Sequence, residues 1–184
     1  KRECGFRSDL FTIQHFWNAM DRINLDRLTE LEKELSLHIA KEEHLSPKAL
    51  LYDCTNYFTY IDTLNDRNTE AQRGCNKQGR HNLRQLGLAV AVTPDFHIPL
   101  FHSLYPGNLN DNTQLKNIYL PLTERIKDLS GSPNDITLVF DKGNTSEDIL
   151  YSLQESAISC IAAAPLLRYP EMSAIDLKKF QKTD

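Results

Sequence analysis

Three strand-like stretches follow one another with only loops and turns between them, and two more each come after a helix. This order constrains the fold more than any other feature of the chain. "ALLYDCTNYFTYI" at 49–61 is rich in aromatic and β-compatible residues. "LRQLGLAVAV" at 83–92 and "IPLFHSLYPG" at 98–107 are joined by the turn "TPDFH", which predicts a hairpin. A helix is predicted from the Asn/Asp caps of "NLND" at 108–111 to about Leu129, with Leu115, Ile118, Leu122, Ile126 and Leu129 on one face. "ITLVF" at 136–140 and "AISCIAAAPL" at 157–166 are continuous apolar runs, the pattern of strands buried on both faces of a sheet, with a helix predicted over 146–156 between them.

Ahead of these elements, residues 8–45 read as helical. Leu25, Leu28, Leu31, Leu35 and Ile39 recur at steps of three and four, and Asn18, Asp21 and Asn24 allow a break between helices near 9–20 and 25–43. Phe16 and Trp17 are expected in the helical core. The organisation is then a helical segment over 1–46 and an α/β domain over 47–184. Helix, β, β, β, α, β, α, β is the order of a mixed sheet compatible with a ribonuclease H-like fold, and other α/β folds share parts of it.

The chain has 184 residues, enough for one full core. At 40% hydrophobic and 25% charged it has an ordinary globular profile, and no run approaches the ~18–20 apolar residues of a membrane span. The start "KRECGFRSDLF" lacks an initiating Met and an apolar signal-peptide region, and the chain reads as a piece of a longer protein. Cys4, Cys54, Cys75 and Cys160 form no CxxC and fit a reducing, cytoplasmic setting; Cys54 and Cys160 are expected as small core residues. The histidines at 38, 44, 81, 97 and 102 contain no helical i,i+4 pair, and no Cys/His cluster has zinc spacing.

Two acids stand out because an acid in or after an apolar strand is costly to bury without compensation. Asp53 interrupts the first strand, and Asp141 ends the fourth. If those strands are neighbours, the two carboxylates meet at the end of the sheet where sites of open α/β folds gather. Their repulsion is relieved by a divalent ion, and hard oxygen donors suit Mg2+ or Mn2+. The bland alternative is a cap or turn residue, which "KGN" after Asp141 favours. A second signal is charge. The chain carries a net −4, yet Ala71–Gln85 holds Arg73, Lys77, Arg80 and Arg84 with no acid, a local strip suited to phosphate or simply to solvent.

"LLYDCTNYF", "GCNKQGRHNLRQLGLAVAVTPDFHIPLFHSLYPGNLND" and "ITLVFDKGNTSEDILYSL" together resemble the catalytic domain of DDE transposases of bacterial insertion sequences, of the insertion-sequence-four-like group, over roughly residues 48–165. The resemblance implies a ribonuclease H-like fold in which two Asp and one Glu hold two Mg2+, with Mn2+ as a substitute. It implies cleavage at transposon ends and transfer of the freed strand to target DNA. The first acid corresponds to Asp53 and the second to Asp141, as catalytic and metal-holding residues. Glu147, Glu155 and Glu171 fall too soon after the fourth strand to be the third, which is expected past Asp184, so the fragment alone is expected to be inactive. Arg73, Lys77, Arg80 and Arg84 correspond to a DNA-holding block. Asn76 and Asn82 depart from the Ser and acid common there. The implied partners are transposon-end and target DNA, with no membrane, and a homodimer in the complete protein; the implied location is the bacterial cytoplasm, at the nucleoid. Two other readings remain open. One is a haloacid dehalogenase-type phosphatase, suggested by "LLYDCT" but lacking an acid at Thr55. The other is an inactive remnant that only binds DNA.

Overall fold

The structure, a computed structural model, describes residues 11–179 apart from 63, 77, 142, 144, 156–157, 164–166 and 168–169. Five strands form one sheet: β1 (Ala49–Thr59), β2 (Arg84–Val92), β3 (Pro99–Pro106), β4 (Thr137–Phe140) and β5 (Ser159–Ala162), in the spatial order β3-β2-β1-β4-β5. β1, β2 and β3 pair antiparallel. β4 and β5 add parallel to β1 on its other side. Helix α3 (Asp111–Ser130) makes the crossover from β3 to β4, and α4 (Glu147–Glu155) the one from β4 to β5. A meander that reverses into two parallel crossovers, with β1 central, is the ribonuclease H-like arrangement.

Strand alternation decides the two faces. Leu50, Tyr52 and Cys54 of β1, Ala89 and Ala91 of β2, Phe101 and Tyr105 of β3, and Leu138 and Phe140 of β4 are buried. They pack with Leu115, Ile118, Leu122 and Ile126 of α3 and with Ile149 and Leu153 of α4. The residues between them in sequence point to the other face, which stays partly open. α3 begins where the Asn110 side chain accepts from the Thr113 amide at 2.8 Å. It ends at Gly131, whose φ of 78° is the left-handed conformation a glycine adopts without strain.

The apolar runs at 136–140 and 157–166 predict burial on both faces. Instead Thr137 and Val139 are half-buried, and Ile161 of the edge strand β5 is 62% exposed. Their apolar sequence survives burial on one face only.

The helical segment divides as expected, into α1 (Ile13–Met20) and α2 (Leu25–Glu42), and Thr12 and Asn24 cap them. Its packing differs from expectation. Phe16 and Trp17 are not core residues: they are 65% and 55% exposed. Leu25, Leu28, Leu31 and Leu35 are exposed too, and α2 turns Ser36 and Glu32 toward β3 and α3 instead. The reason is an ion pair. Arg125 of α3 is almost wholly buried, and its guanidinium donates to Glu32 Oε1 at 3.1 Å and Oε2 at 2.6 Å and to the Leu100 carbonyl at 2.6 Å. His102 Nδ1 stands 3.3 Å from the same carboxylate, and Lys33 reaches Asp128 at 2.6 Å. A bidentate pair fixes the rotation of α2 more strictly than leucines could.

Between β1 and β2 the chain returns as residues 71–75 along β2. Gln72 and Gln85 exchange backbone hydrogen bonds, and the buried Gln85 side chain donates to the carbonyls of Gly107 and Cys75. Gly107 lies against the Gln85 carbonyl so closely that a Cβ there would overlap it. Gly107→Ala is therefore expected to lose about 1–3 kcal/mol of stability, the range for overpacking. Urea denaturation measures it, and an unchanged midpoint would contradict the packing.

Candidate metal and nucleic-acid site

β1 and β4 run parallel in the register Leu51↔Val139 and Tyr52↔Phe140. One step further sets Asp53 beside Asp141, which directly follows β4. Neighbouring strands lie about 4.8 Å apart, which is the spacing at the last paired residues, Tyr52 and Phe140. Tyr52 and Phe140 are both buried toward the helices, so alternation sends the next residue of each strand to the open face. Asp53 and Asp141 are both exposed there. The hydrophobic alternation of the two strands thus does the positioning.

The Asp53 carboxylate and the backbone at Asp141 are further held locally. The Cys54 amide donates to Asp53 Oδ1 at 2.8 Å. The Thr145 hydroxyl reaches the carbonyls of Asp141 and Ala163 at 3.4 Å each, tying the loop after β4 to the end of β5. A Cβ on Gly143 would stand 3.9 Å from Asp141 Oδ2, in ordinary contact.

Two adjacent anions with hard oxygen donors fit a divalent cation such as Mg2+ or Mn2+. Among the described residues no third His, Cys, Asp or Glu joins them to make a larger metal-binding group. Glu147 and Glu155 are exposed on α4, which packs its apolar side against the opposite face of the sheet.

The basic strip is only partly presented as a sequence reading would have it. Arg80 is exposed, with its guanidinium 5.5 Å from the Phe58 ring centroid. Arg73 is exposed as well. Arg84 is half-buried and donates to the carbonyls of Asn65 at 2.8 Å and Asn68 at 3.4 Å, bracing the loop ahead of the strip. Lys77 lies outside the described residues. Sequence reasoning missed the Gln85 hydrogen bonds, to the Gln72 backbone and the Cys75 carbonyl, that anchor this strip to β2. The only signal for them was a glutamine at a core-facing strand position.

The strand order and its two parallel crossovers define a ribonuclease H-like α/β domain, with Asp53 and Asp141 exposed on its open face. Neither a protein-family model nor a curated protein matches the chain. Solved structures similar in fold include a Mos1 transposase paired-end complex with left transposon end, at TM-score 0.44 and 14% identity over 78% of this chain and 44% of that one. A Mos1 mariner paired-end complex with Mn scores 0.41 at 14% identity, covering 83% and 49% of the two chains. The catalytic domain of Mos1 mariner transposase scores 0.41 at 10% identity, covering 89% and 77%. The chain thus spans about half the length of the proteins in the two complexes. At such identities the likeness concerns the fold.

Proposed function

We propose that this chain is the core of a DDE-type DNA transposase, a metal-dependent phosphoryl transferase that cleaves at transposon ends and joins them to target DNA. What supports the reading is the parallel β1–β4 register ending at Tyr52↔Phe140, with the exposed Asp53 and Asp141 the next residue of each segment. The assignment to the insertion-sequence-four-like group rests on the three sequence blocks around those acids. Asp53 and Asp141 would hold Mg2+ or Mn2+, which when bound supplies a Lewis acid at a phosphodiester. What the chain's own residues do is present oxygens in a fixed geometry: the Cys54 amide and the Thr145 hydroxyl each restrain one acid or its loop.

Arg73 and Arg80 are proposed to hold DNA phosphates, with Lys77 beside them in sequence, while Arg84 shapes the loop that carries them. The protein would work in the bacterial cytoplasm, at the nucleoid. A dehalogenase-type phosphatase would need a second acid two residues after Asp53, and Thr55 stands there.

Mn2+ titration of the 184-residue chain, read by electron paramagnetic resonance, tests the site. The expected result is saturable binding that Asp53→Asn weakens by more than the ~10–100-fold typical of losing an outer-shell partner. Equal binding by wild type and variant would overturn the pairing.

A further inference from the structure

We propose that His102 is a phosphate-holding residue of the open sheet face, taking up a DNA backbone phosphate about three nucleotides from the phosphodiester at Asp53 and Asp141. The inference rests on the transposase reading of those acids and adds a residue that the basic strip does not contain. It starts from register. Asp53 of β1 pairs with Val90 of β2, and Val90 pairs with His102 of β3. Directly opposed residues of antiparallel strands share a face. The neighbouring pair Ala91↔Phe101 is buried against the helices, so Asp53, Val90 and His102 form one row on the open face. Two strand spacings, about 10 Å, separate the ends of the row. Phosphates recur about every 3.4 Å of helix axis along one DNA strand, so the row spans about three of them.

The imidazole is held at one nitrogen and open at the other. Its Nδ1 stands 3.3 Å from Glu32 Oε1, at the β3 edge where α2 packs. Arg125 grips both oxygens of the same carboxylate, so the guanidinium answers the charge of Glu32 while Glu32 fixes the ring. With a proton on each ring nitrogen, Nδ1 donates to Glu32 and Nε2 can donate to a phosphate oxygen. Nε2 has no hydrogen-bond partner among the described residues, and the side chain is 49% exposed. Arg125, Glu32 and a charged His102 make two cations against one anion, an excess of positive charge at the edge of the face.

The same edge carries the basic strip. Gln85 pairs with Phe58 of β1 on one side and with Gln72 on the other, which sets the segment holding Arg73 beside β2 beyond the end of β3. From Gln85 to Val90 is five residues of β2, or about 17 Å. Exposed Arg73 and exposed His102 therefore lie along one margin of the sheet, a spacing suited to successive phosphates of one backbone.

The test is binding of a short labelled duplex by the 184-residue chain, read by fluorescence anisotropy over a series of salt concentrations at about pH 6, where histidine readily carries a proton. Each phosphate contact contributes about 0.9 to the slope of log affinity against log salt. His102→Gln keeps a donor for Glu32 but no charge, and should lower the slope by about that amount. His102→Arg should restore it. Because the position is exposed, both variants should match the wild type in circular dichroism, and both should bind Mn2+ as the wild type does. A histidine that only docks α2 leaves the slope unchanged in His102→Gln, and that result overturns the inference while the metal site stands. A slope that falls equally in His102→Arg overturns it too. A wild type that binds Mn2+ but no DNA overturns the inference, and one that binds neither overturns the transposase reading with it.

Discussion

Replacing Arg125 by methionine is expected to destabilise the protein by about 3–5 kcal/mol, because removing one member of a buried pair would leave its partner uncompensated. The guanidinium satisfies both oxygens of Glu32 and the Leu100 carbonyl, and its central carbon lies 5.9 Å from the Phe101 ring centroid. Methionine keeps some of the packing and none of the hydrogen bonds. The double variant Glu32→Leu/Arg125→Met should recover most of the loss, since apolar replacement of a whole buried pair is often neutral. Urea denaturation of the four proteins in this cycle measures the coupling. A double variant no more stable than Arg125→Met alone would show that the packing of Arg125 matters and the pair does not.

The same cycle has a pH signature. Burial pushes the Glu32 carboxyl up, but the hydrogen bonds and charge of Arg125, with the charge and hydrogen bond of His102, outweigh it and hold the group below its ordinary value near 4.5. A carboxyl depressed in the folded state contributes stability that is present above the ordinary value and lost as pH falls through the folded one. The wild type should therefore lose this contribution only below about pH 4.5. In Arg125→Met the largest remaining influence is desolvation, so the sign reverses and acidification from neutral should stabilise the variant.

This pair also shows where the sequence is silent. Strands, helices and their order were legible because periodicity and turn residues are local signals: Gly131 ends α3, and "TPDFH" joins β2 to β3. The neighbour relation of β1 and β4, the condition for Asp53 and Asp141 to meet, was legible one step further, from the α/β order of the elements. The rotation of α2 was not legible. A leucine stripe announces an apolar face, not what that face meets, and an arginine far along the chain from Glu32 decides the matter. That arginine, Arg125, looked like any charge on an amphipathic helix. The basic strip misled in the same way: four cations in a run say nothing about which one, here Arg84, turns to brace carbonyls of its own loop.

Loss of one carboxylate from the Asp53–Asp141 pair should raise thermal stability without metal and forfeit the gain that metal brings. In the proposed site Asp53 and Asp141 are neighbouring like charges when no metal is bound, a repulsion on the order of 1 kcal/mol for unit charges about 4 Å apart in water. Asp141→Asn removes it, so the metal-free variant should melt a few degrees above the wild type, at about 2–4 °C per kcal/mol for a domain of this size. With Mn2+ at about a hundred times its dissociation constant, the wild type should gain about 2.7 kcal/mol, and its melting temperature should rise by roughly 5–10 °C. The variant, with one oxygen donor group gone, should gain almost nothing. The ranking of the two proteins therefore inverts between metal-free and metal-loaded solutions. Scanning calorimetry with and without Mn2+ reads this directly, and Glu147→Gln, an exposed acid on α4, serves as the control that should leave the metal-dependent rise intact. A turn-forming role for Asp141 makes the opposite forecast: the variant would melt lower in both solutions, and Mn2+ would raise neither.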